Sequence, residues 1–591
     1  MLPSLLLPLS LFAAVSCTTL HWKDYLVTNP LPNVTYPLPR NFAGSVPVNR
    51  DSHPNNTLFF WAFENTPGSL TAPQNSSQEP WIIWLKGGPG SSSFIGLMTE
   101  NGPLRVTGDY SIVDNPYSWD KLADIVYVDQ PVGVGYSTSD PGANAADENQ
   151  VGEDFIGFLS NLVNIFPSLA TRPLYLTGES YAGVYIPYIT KAIFSTPHTP
   201  VKLKKIAIGD GAIGEYPTSG GITVLDIIAT YPQLIGYDAE VFEYFQTQYQ
   251  LCGYDFELTY PPTGPLPYLF DPIYEASPSD NLRRRSLDSG WSAIFSRSRE
   301  VSISKREQEE RRSAWKRDLS GRPNGTLDPY YGCFLLIELQ DYASNYSFPF
   351  DLGGLNPYDV TSALHPPVPA DASIFLNDPR TRAAIHAPSG KTWKKSVDLN
   401  WTGTATPNFQ GDPSPLPITF LSELAANASK HDVGIVLYVG NDDLLVAHRG
   451  IEAVIQNFTF GGIQGFTRKP DTPFTDDHGR FSGIIHQERN VTYALFANAG
   501  HYVPESVPEA AFVFLREFIL GSNLTGFVDS PTSPAVGGDD PELASNILPG
   551  NSAIFYGSGT TASSTVAPEA TIAGWNSFIA TATLSASATS A

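Results

Sequence analysis

Charge is scarce in this chain, and cysteine is scarcer. Charged residues make up 16% of the 591 residues, and acidic side chains outnumber basic ones enough to give a formal net charge of −24. A surface of that sign repels nucleic acid, so no nucleic-acid partner is expected. The acidity fits two readings equally: work in acid, where protonation relieves self-repulsion, or solubility of a secreted protein. No apolar run approaches the roughly 20 residues that a membrane-spanning helix needs. The cysteines number three, of which Cys17 stands close to the N-terminus. Cys252 and Cys333 remain, and they are expected to pair in an oxidising compartment; two buried free thiols are the alternative.

The chain is well supplied with apolar and aromatic residues, at 42% and 12%. That composition belongs to a folded globular protein with a large core. Residues 1–16 form an expected signal peptide: Leu5 to Phe12 is short and apolar, and Ala14 and Ser16 suit a cleavage site, although no basic residue precedes the run. Ten Asn-x-Ser/Thr sites, at Asn33, Asn55, Asn75, Asn324, Asn345, Asn400, Asn427, Asn457, Asn490 and Asn523, point to a glycosylated, secreted surface. Vacuolar or cell-wall association is compatible with the same signals.

Short apolar runs at Trp81–Leu85, Ile125–Val128, Leu174–Leu176, Lys205–Ile208, Gly434–Val439 and Tyr493–Phe496 predict strands buried on both faces. Helical spacing joins Phe155, Phe158, Leu159 and Leu162 on one face, and Ala511, Phe514, Leu515 and Phe518 on another. Strands alternating with helices imply a three-layer α/β domain, expected over residues 17–528. Residues 214–369 break the rhythm and predict an insertion, a cap over the carboxyl edge of the sheet. Inside it, 281–318 is basic and poor in apolar residues, with Arg283-Arg284-Arg285, Lys305-Arg306, Arg311-Arg312 and Lys316-Arg317. A segment of that kind is a solvated loop or, as the basic clusters suggest, a linker excised by a processing protease. Residues 529–591 are rich in Ser, Thr, Ala and Gly and read as a low-complexity, disordered tail. A lipid anchor would need a terminal apolar run of roughly 10–20 residues, and the end from Ala580 is polar, which leaves an anchor undecided.

Three strand ends carry candidate chemistry. Leu174 to Gly183 reads strand, serine in a tight turn, then helix, an elbow that would lift the Ser180 hydroxyl above the sheet. A serine nucleophile needs a base and the base an orienting carboxylate, and the order Ser180, Asp442 or Asp443, His501 supplies both at strand ends. His448 is the main rival base. Lys86-Gly87-Gly88-Pro89-Gly90 follows another strand, where glycines let backbone N–H groups approach a developing oxyanion. A phosphate loop is the competing reading, but its Gly-Lys-Ser/Thr ending is absent. This chemistry calls for no metal or other cofactor.

Gly87-Gly-Pro-Gly-Ser-Ser-Ser93, Asp129-Gln-Pro-Val-Gly-Val-Gly-Tyr-Ser137, Gly178-Glu-Ser-Tyr-Ala-Gly183 and Ala499-Gly-His-Tyr-Val-Pro504 resemble, in order, the motifs of the serine carboxypeptidases. Phe375 to Pro379 with Ala384 to Ala387 is similar to a further family segment. The likeness runs from about Asn41 to Gly521 and is greatest to a secreted fungal branch with Ser-Ser-Ser in place of Cys-Ser-Ser. It implies an α/β-hydrolase fold, a central mostly parallel sheet flanked by helices, and removal of C-terminal residues from peptides and proteins in acid through an acyl-enzyme. Ser180 would be the nucleophile, His501 the base and, by a gap-free match, Asp443 the acid. Gly88 and Tyr181 would give the oxyanion N–H groups. Trp84, Lys86, Gly87, Glu100 and Glu179 would hold the substrate's terminal carboxylate. Two adjacent carboxyls cannot both ionise cheaply, so a shared proton would let the glutamates receive that carboxylate in acid.

Four positions depart from the family pattern: Lys86 stands for asparagine, Ser91 for cysteine, Tyr502 for methionine in the leaving-residue pocket, and Asn441 for an acid. Other functions on this scaffold are an acyltransferase or a peptide-binding glycoprotein without activity. Retention of Glu100 and Glu179 favours peptide carboxylates over the first, and retention of Ser180 and His501 counts against the second.

Overall fold

The computed structural model describes residues 20–275, 326–328, 330–352, 355–363, 371–405, 408, 411–523, 540, 543, 548–554 and 566–582. The expected signal peptide, Cys17, Asn324 and the 281–318 segment lie outside them. Ten strands form the main sheet: β1 (Asn41–Pro47), β2 (Thr57–Phe63), β3 (Trp81–Leu85), β4 (Asp124–Asp129), β5 (Pro173–Glu179), β6 (Lys202–Gly209), β7 (Gly434–Gly440), β8 (Thr472–Thr475), β9 (Phe481–Glu488) and β10 (Val491–Phe496). Their spatial order is β1-β2-β4-β3-β5-β6-β7-β10-β9-β8. The six strands from β4 to β10 in that order pair in parallel, and an antiparallel pair extends each edge.

Each of the six apolar runs is one of the parallel strands. Their continuous apolarity has a direct cause, because both faces are covered. Trp81, Ile83 and Leu85 of β3 enter one core with α2 (Glu148–Ile165) and α3 (Ala182–Ser195), while Ile82 and Trp84 enter the opposite core. Phe155, Phe158, Leu159 and Leu162 face the first core, and Ala511, Phe514, Leu515 and Phe518 the second. The edge strands β1, β2, β8 and β9 escape the sequence reading. In β2 the run Leu58 to Phe63 is wholly buried and as apolar as any central strand, but it pairs antiparallel.

A third core belongs to the insertion. It gathers α4 (Val224–Thr230), α5 (Ala239–Leu251) and α6 (Leu335–Tyr346), with Cys252 and Cys333 joined as a disulfide within it. Part of the 529–591 span is folded against this unit. Helix α7 (Glu569–Thr581) buries Trp575 edge-on to Phe242 at 5.7 Å, and Phe578 meets the same ring at 5.6 Å. Upstream of it, the Leu548 carbonyl accepts a hydrogen bond from Asn441 Nδ2 at 3.3 Å. Among the described residues no helix is long and apolar enough to cross a membrane. Of the nine described sequon asparagines, Asn33, Asn55, Asn75, Asn345, Asn400 and Asn490 are exposed and Asn427, Asn457 and Asn523 half-buried, so every one presents some surface to solvent.

Candidate active site

The candidate residues meet at the carboxyl edge of the parallel strands, where α/β folds gather their sites. Ser180 follows β5 with φ of 63°, in the left-handed region that a non-glycine residue enters only when its surroundings hold it there. Gly209 and Ala212 hold it: Ser180 N–H donates to the Gly209 carbonyl at 2.9 Å, and its own carbonyl accepts from Ala212 at 3.0 Å. The small neighbours are a packing requirement. A Cβ on Gly178 would stand 2.4 Å from the Leu85 carbonyl, and one on Gly183 would stand 2.8 Å from Ala212 N.

His501 is fully buried after β10, and its Nδ1 lies 2.7 Å from Asp443 Oδ2. The other oxygen of Asp443 accepts the Leu445 N–H at 2.7 Å. His501 Nε2 is buried without a hydrogen-bond partner among the described residues. Asp442 turns the other way. Its carboxylate accepts the phenol of Tyr231 from the insertion, and burial pushes its pKa up to about 7. His448 opens a separate helix (His448–Asn457) and lies beside Asp226. Asp443, the residue that the gap-free match names, is thus the carboxylate bonded to His501.

The glycine loop after β3 lies against the elbow. A Cβ on Gly87 would stand 2.1 Å from Tyr181 N, so glycine is required for the approach. Among the described residues neither the Gly88 nor the Tyr181 N–H donates a hydrogen bond, which leaves two donors beside Ser180. The loop is tied down by its serines: Ser92 Oγ and Ser93 N–H donate to Asp129 at 2.5 and 3.0 Å, and Ser93 Oγ donates to the Val128 carbonyl. Ser91, where the family has cysteine, instead faces Ser396 across an isolated bridge.

Lys86 does not point away from the site. Its ammonium donates to Glu100 Oε1 at 2.7 Å and to Glu179 Oε1, and it sits 3.7 Å from the centre of the Tyr502 ring. Burial alone would draw the lysine pKa down, but the two carboxylates outweigh it and hold the group charged. Burial and the neighbouring Glu100 push the Glu179 carboxyl well up, against the pull of Lys86. The acid pair expected from sequence is thus a Glu-Lys-Glu cluster, with Glu100 Oε2 and Glu179 Oε2 each buried and without a hydrogen-bond partner. Trp84 Nε1, packed over Gly96, is a further buried donor without a partner. Tyr502 stacks on Tyr358 of the insertion at 5.6 Å, and both rings contact His501.

Three residues escaped the sequence reading. Tyr358 lies in the irregular insertion, where no periodicity marks it. Asp412 accepts the Tyr181 phenol at 2.7 Å and so anchors the elbow from below, with no sequence signal near it. Asp210 did carry a signal: it follows an apolar strand and falls between Ser180 and His501 in the chain. Its carboxyl lies with those of Asp443 and the His501 imidazole inside 4.8 Å.

A buried histidine–carboxylate pair beside an elbow serine, on a mostly parallel sheet flanked by helices, defines an α/β-hydrolase. The serine carboxypeptidase profile matches residues 32–247 and 326–521 and passes over the insertion's basic segment. The chain belongs to the serine carboxypeptidase family and is a serine-type carboxypeptidase, a hydrolase acting on peptides. It is 28% identical over 531 residues to a carboxypeptidase Y homolog of Arthroderma benhamiae, covering 85% of this chain and 95% of the relative. It is 26% identical to the pheromone-processing carboxypeptidase kex1 of Pyrenophora tritici-repentis, covering 88% and 71%. The solved prohormone-processing carboxypeptidase Kex1 of Saccharomyces cerevisiae superposes with a TM-score of 0.58 at 26% identity, covering 84% of this chain and 96% of that one.

Proposed function

We propose that this carboxypeptidase hydrolyses the last peptide bond of peptides and proteins in acid, through an acyl-enzyme on Ser180. The observation that carries the reading is His501, buried and bound to Asp443 through Nδ1 while Nε2 has no hydrogen-bond partner among the described residues. Ser180 Oγ attacks the scissile carbonyl as His501 Nε2 takes its proton. The Gly88 and Tyr181 N–H groups receive the oxyanion, and Asp443 stabilises the imidazolium. His501 then protonates the departing C-terminal residue. Water, activated by the same imidazole, releases the acyl group from Ser180.

The substrate's terminal carboxylate binds against Trp84, Gly87 and the Glu-Lys-Glu cluster, with Tyr502 forming the wall of the leaving-residue pocket. A proton on the glutamates offsets the charge that would repel that carboxylate. Because burial holds the Glu179 carboxyl's pKa well up, the proton persists above the ordinary carboxylate range and is lost as pH rises. Binding accordingly favours acid.

The expected signal peptide and the exposed sequon asparagines support a secreted, glycosylated protein. The basic clusters of 281–318, a stretch that the family profile passes over, support excision by a processing protease. A serine-directed fluorophosphonate tests the site: mass spectrometry is expected to find the adduct on Ser180. An adduct on another serine, or none at all on active enzyme, contradicts the assignment.

A further inference from the structure

Asp210 follows β6 with φ of 45°, and its backbone N–H donates to the Tyr438 carbonyl at 2.8 Å. Its Oδ1 accepts the Gly440 N–H at 2.9 Å. Its Oδ2 is buried without a partner among the described residues, and the whole residue is inaccessible to solvent. Asp443 spends both oxygens as acceptors, one from His501 and one from Leu445. The centre thus holds two carboxyls against one imidazole, where the proposed mechanism uses a single carboxylate.

We propose that Asp210 is a positioning residue of the catalytic centre that keeps its proton on Oδ2 and presents it to the Asp443 carboxylate. The imidazole of His501 then faces one negative charge instead of two. The inference rests on the triad reading above and adds to it a proton that the triad does not contain.

The surroundings give the reason. The titratable groups facing Asp210 are Asp443 and His501 from the loops after β7 and β10, Glu179 at the end of β5, and Tyr438 on β7. Lys86, the cation of the neighbouring cluster, is bound to Glu100 and Glu179, and among the described residues no cation pairs with Asp210. An ionised Asp210 would be a second buried anion with no cation of its own, an arrangement that a buried carboxyl avoids by keeping its proton. Burial, then Asp443, pushes its pKa well up, and the Gly440 N–H opposes them only in part.

The consequence is for the base. A second carboxylate within 4.8 Å of this buried imidazole would strengthen its hold on a proton. His501 would then be an imidazolium, unable to accept the Ser180 proton, over more of the acid range. A neutral Asp210 adds no such charge beside His501 while still orienting Asp443.

The test is the pH dependence of kcat at saturating peptide, so that carboxylate binding does not enter. Asp210→Asn keeps a neutral group of the same shape with an N–H donor, and its acid limb is expected within about 0.3 pH unit of the native one. A shift of the limb to lower pH by on the order of one unit or more would mean that Asp210 is ionised in the native enzyme, and overturns the proposal. Asp210→Leu removes the donor and is expected to lower kcat by about tenfold or more with KM little changed. A Leu variant with native kcat overturns it equally, and if that variant does not fold the Asn limb decides. Turnover retained in Ser180→Ala would refute the site reading and this inference with it. An inert Ser180→Ala beside a shifted Asp210→Asn limb would refute the proton on Asp210 alone.

Discussion

Asp442 and Asp443 are adjacent and chemically identical, yet one turns toward the insertion and the other toward His501. Asp443→Asn would leave His501 with a poor orienting partner and is expected to cost about 10³–10⁴ in kcat. Asp442→Asn keeps an acceptor for Tyr231 and is expected to cost less than about tenfold. Steady-state kinetics on the two folded variants checks the order, and a crippled Asp442→Asn would reverse the assignment. Ser180, Asp443 and His501 were legible because each follows an apolar strand and because motif order fixed the register. Asp210 also follows an apolar strand and falls between Ser180 and His501, so strand-end position alone could not separate it from Asp443; the gap-free match and the direction of each carboxyl do. The lysine was visible as a departure, but its bonding to both glutamates depends on side chains from two strand ends and from the end of the helix Phe94–Thr99.

Lys86 carries a second prediction. In acid, a proton on Glu179, whose carboxyl burial and Glu100 hold well up, can offset the loss of the positive charge that Lys86→Asn removes. At neutral pH nothing replaces it, and the substrate carboxylate meets a more negative cluster. The substitution is expected to raise KM for free peptides more at neutral pH than in acid, and to change amide-blocked substrates much less. Equal changes at both pH values, or for both substrate types, would show that Lys86 does not serve carboxylate binding.

At the scale of elements, the parallel strands were readable because burial on both faces leaves no polar alternation to interpret. The antiparallel edges were not, since β8 and β9 are short or mixed and nothing local reports their pairing. The insertion was visible as a break in rhythm, but its core is assembled from separated segments, among them α7 from the far end of the chain. That assembly bears on processing. Cys252 and Cys333 lie on either side of the basic segment, so cleavage at its basic clusters would leave two chains joined by the disulfide. In a host with dibasic-directed proteases the protein is expected to run as two fragments on a reducing gel and as one species without reductant. A single full-length band under reduction would contradict excision.

Over the whole molecule, buried carboxyls set the pH range of stability. Burial pushes Asp129, Asp271, Asp442 and Glu505 up to about 7. Each binds a proton more tightly folded than unfolded, so stability falls as pH rises from the ordinary carboxylate range through about 7. Glu488 has the opposite sign: its bonds to His486 and to the Thr467 and Arg468 N–H groups outweigh burial and hold it down at about 2, so its contribution is lost as pH falls below the ordinary range. The net charge of −24 adds repulsion at high pH. Thermal unfolding is expected to show a higher Tm near pH 4.5 than near pH 7.5, and the reverse order would contradict this distribution of protons.

The central claim is that this catalytic centre removes single residues from free C-termini. A peptide with a free carboxylate and its C-terminally amidated twin, each incubated with enzyme near pH 4.5 and followed by mass spectrometry, test it most directly. The free peptide is expected to lose one residue at a time from its C-terminus, the amide far more slowly, and neither with Ser180→Ala. Internal cleavage, equal rates on both peptides, or trimming that survives Ser180→Ala would contradict the account.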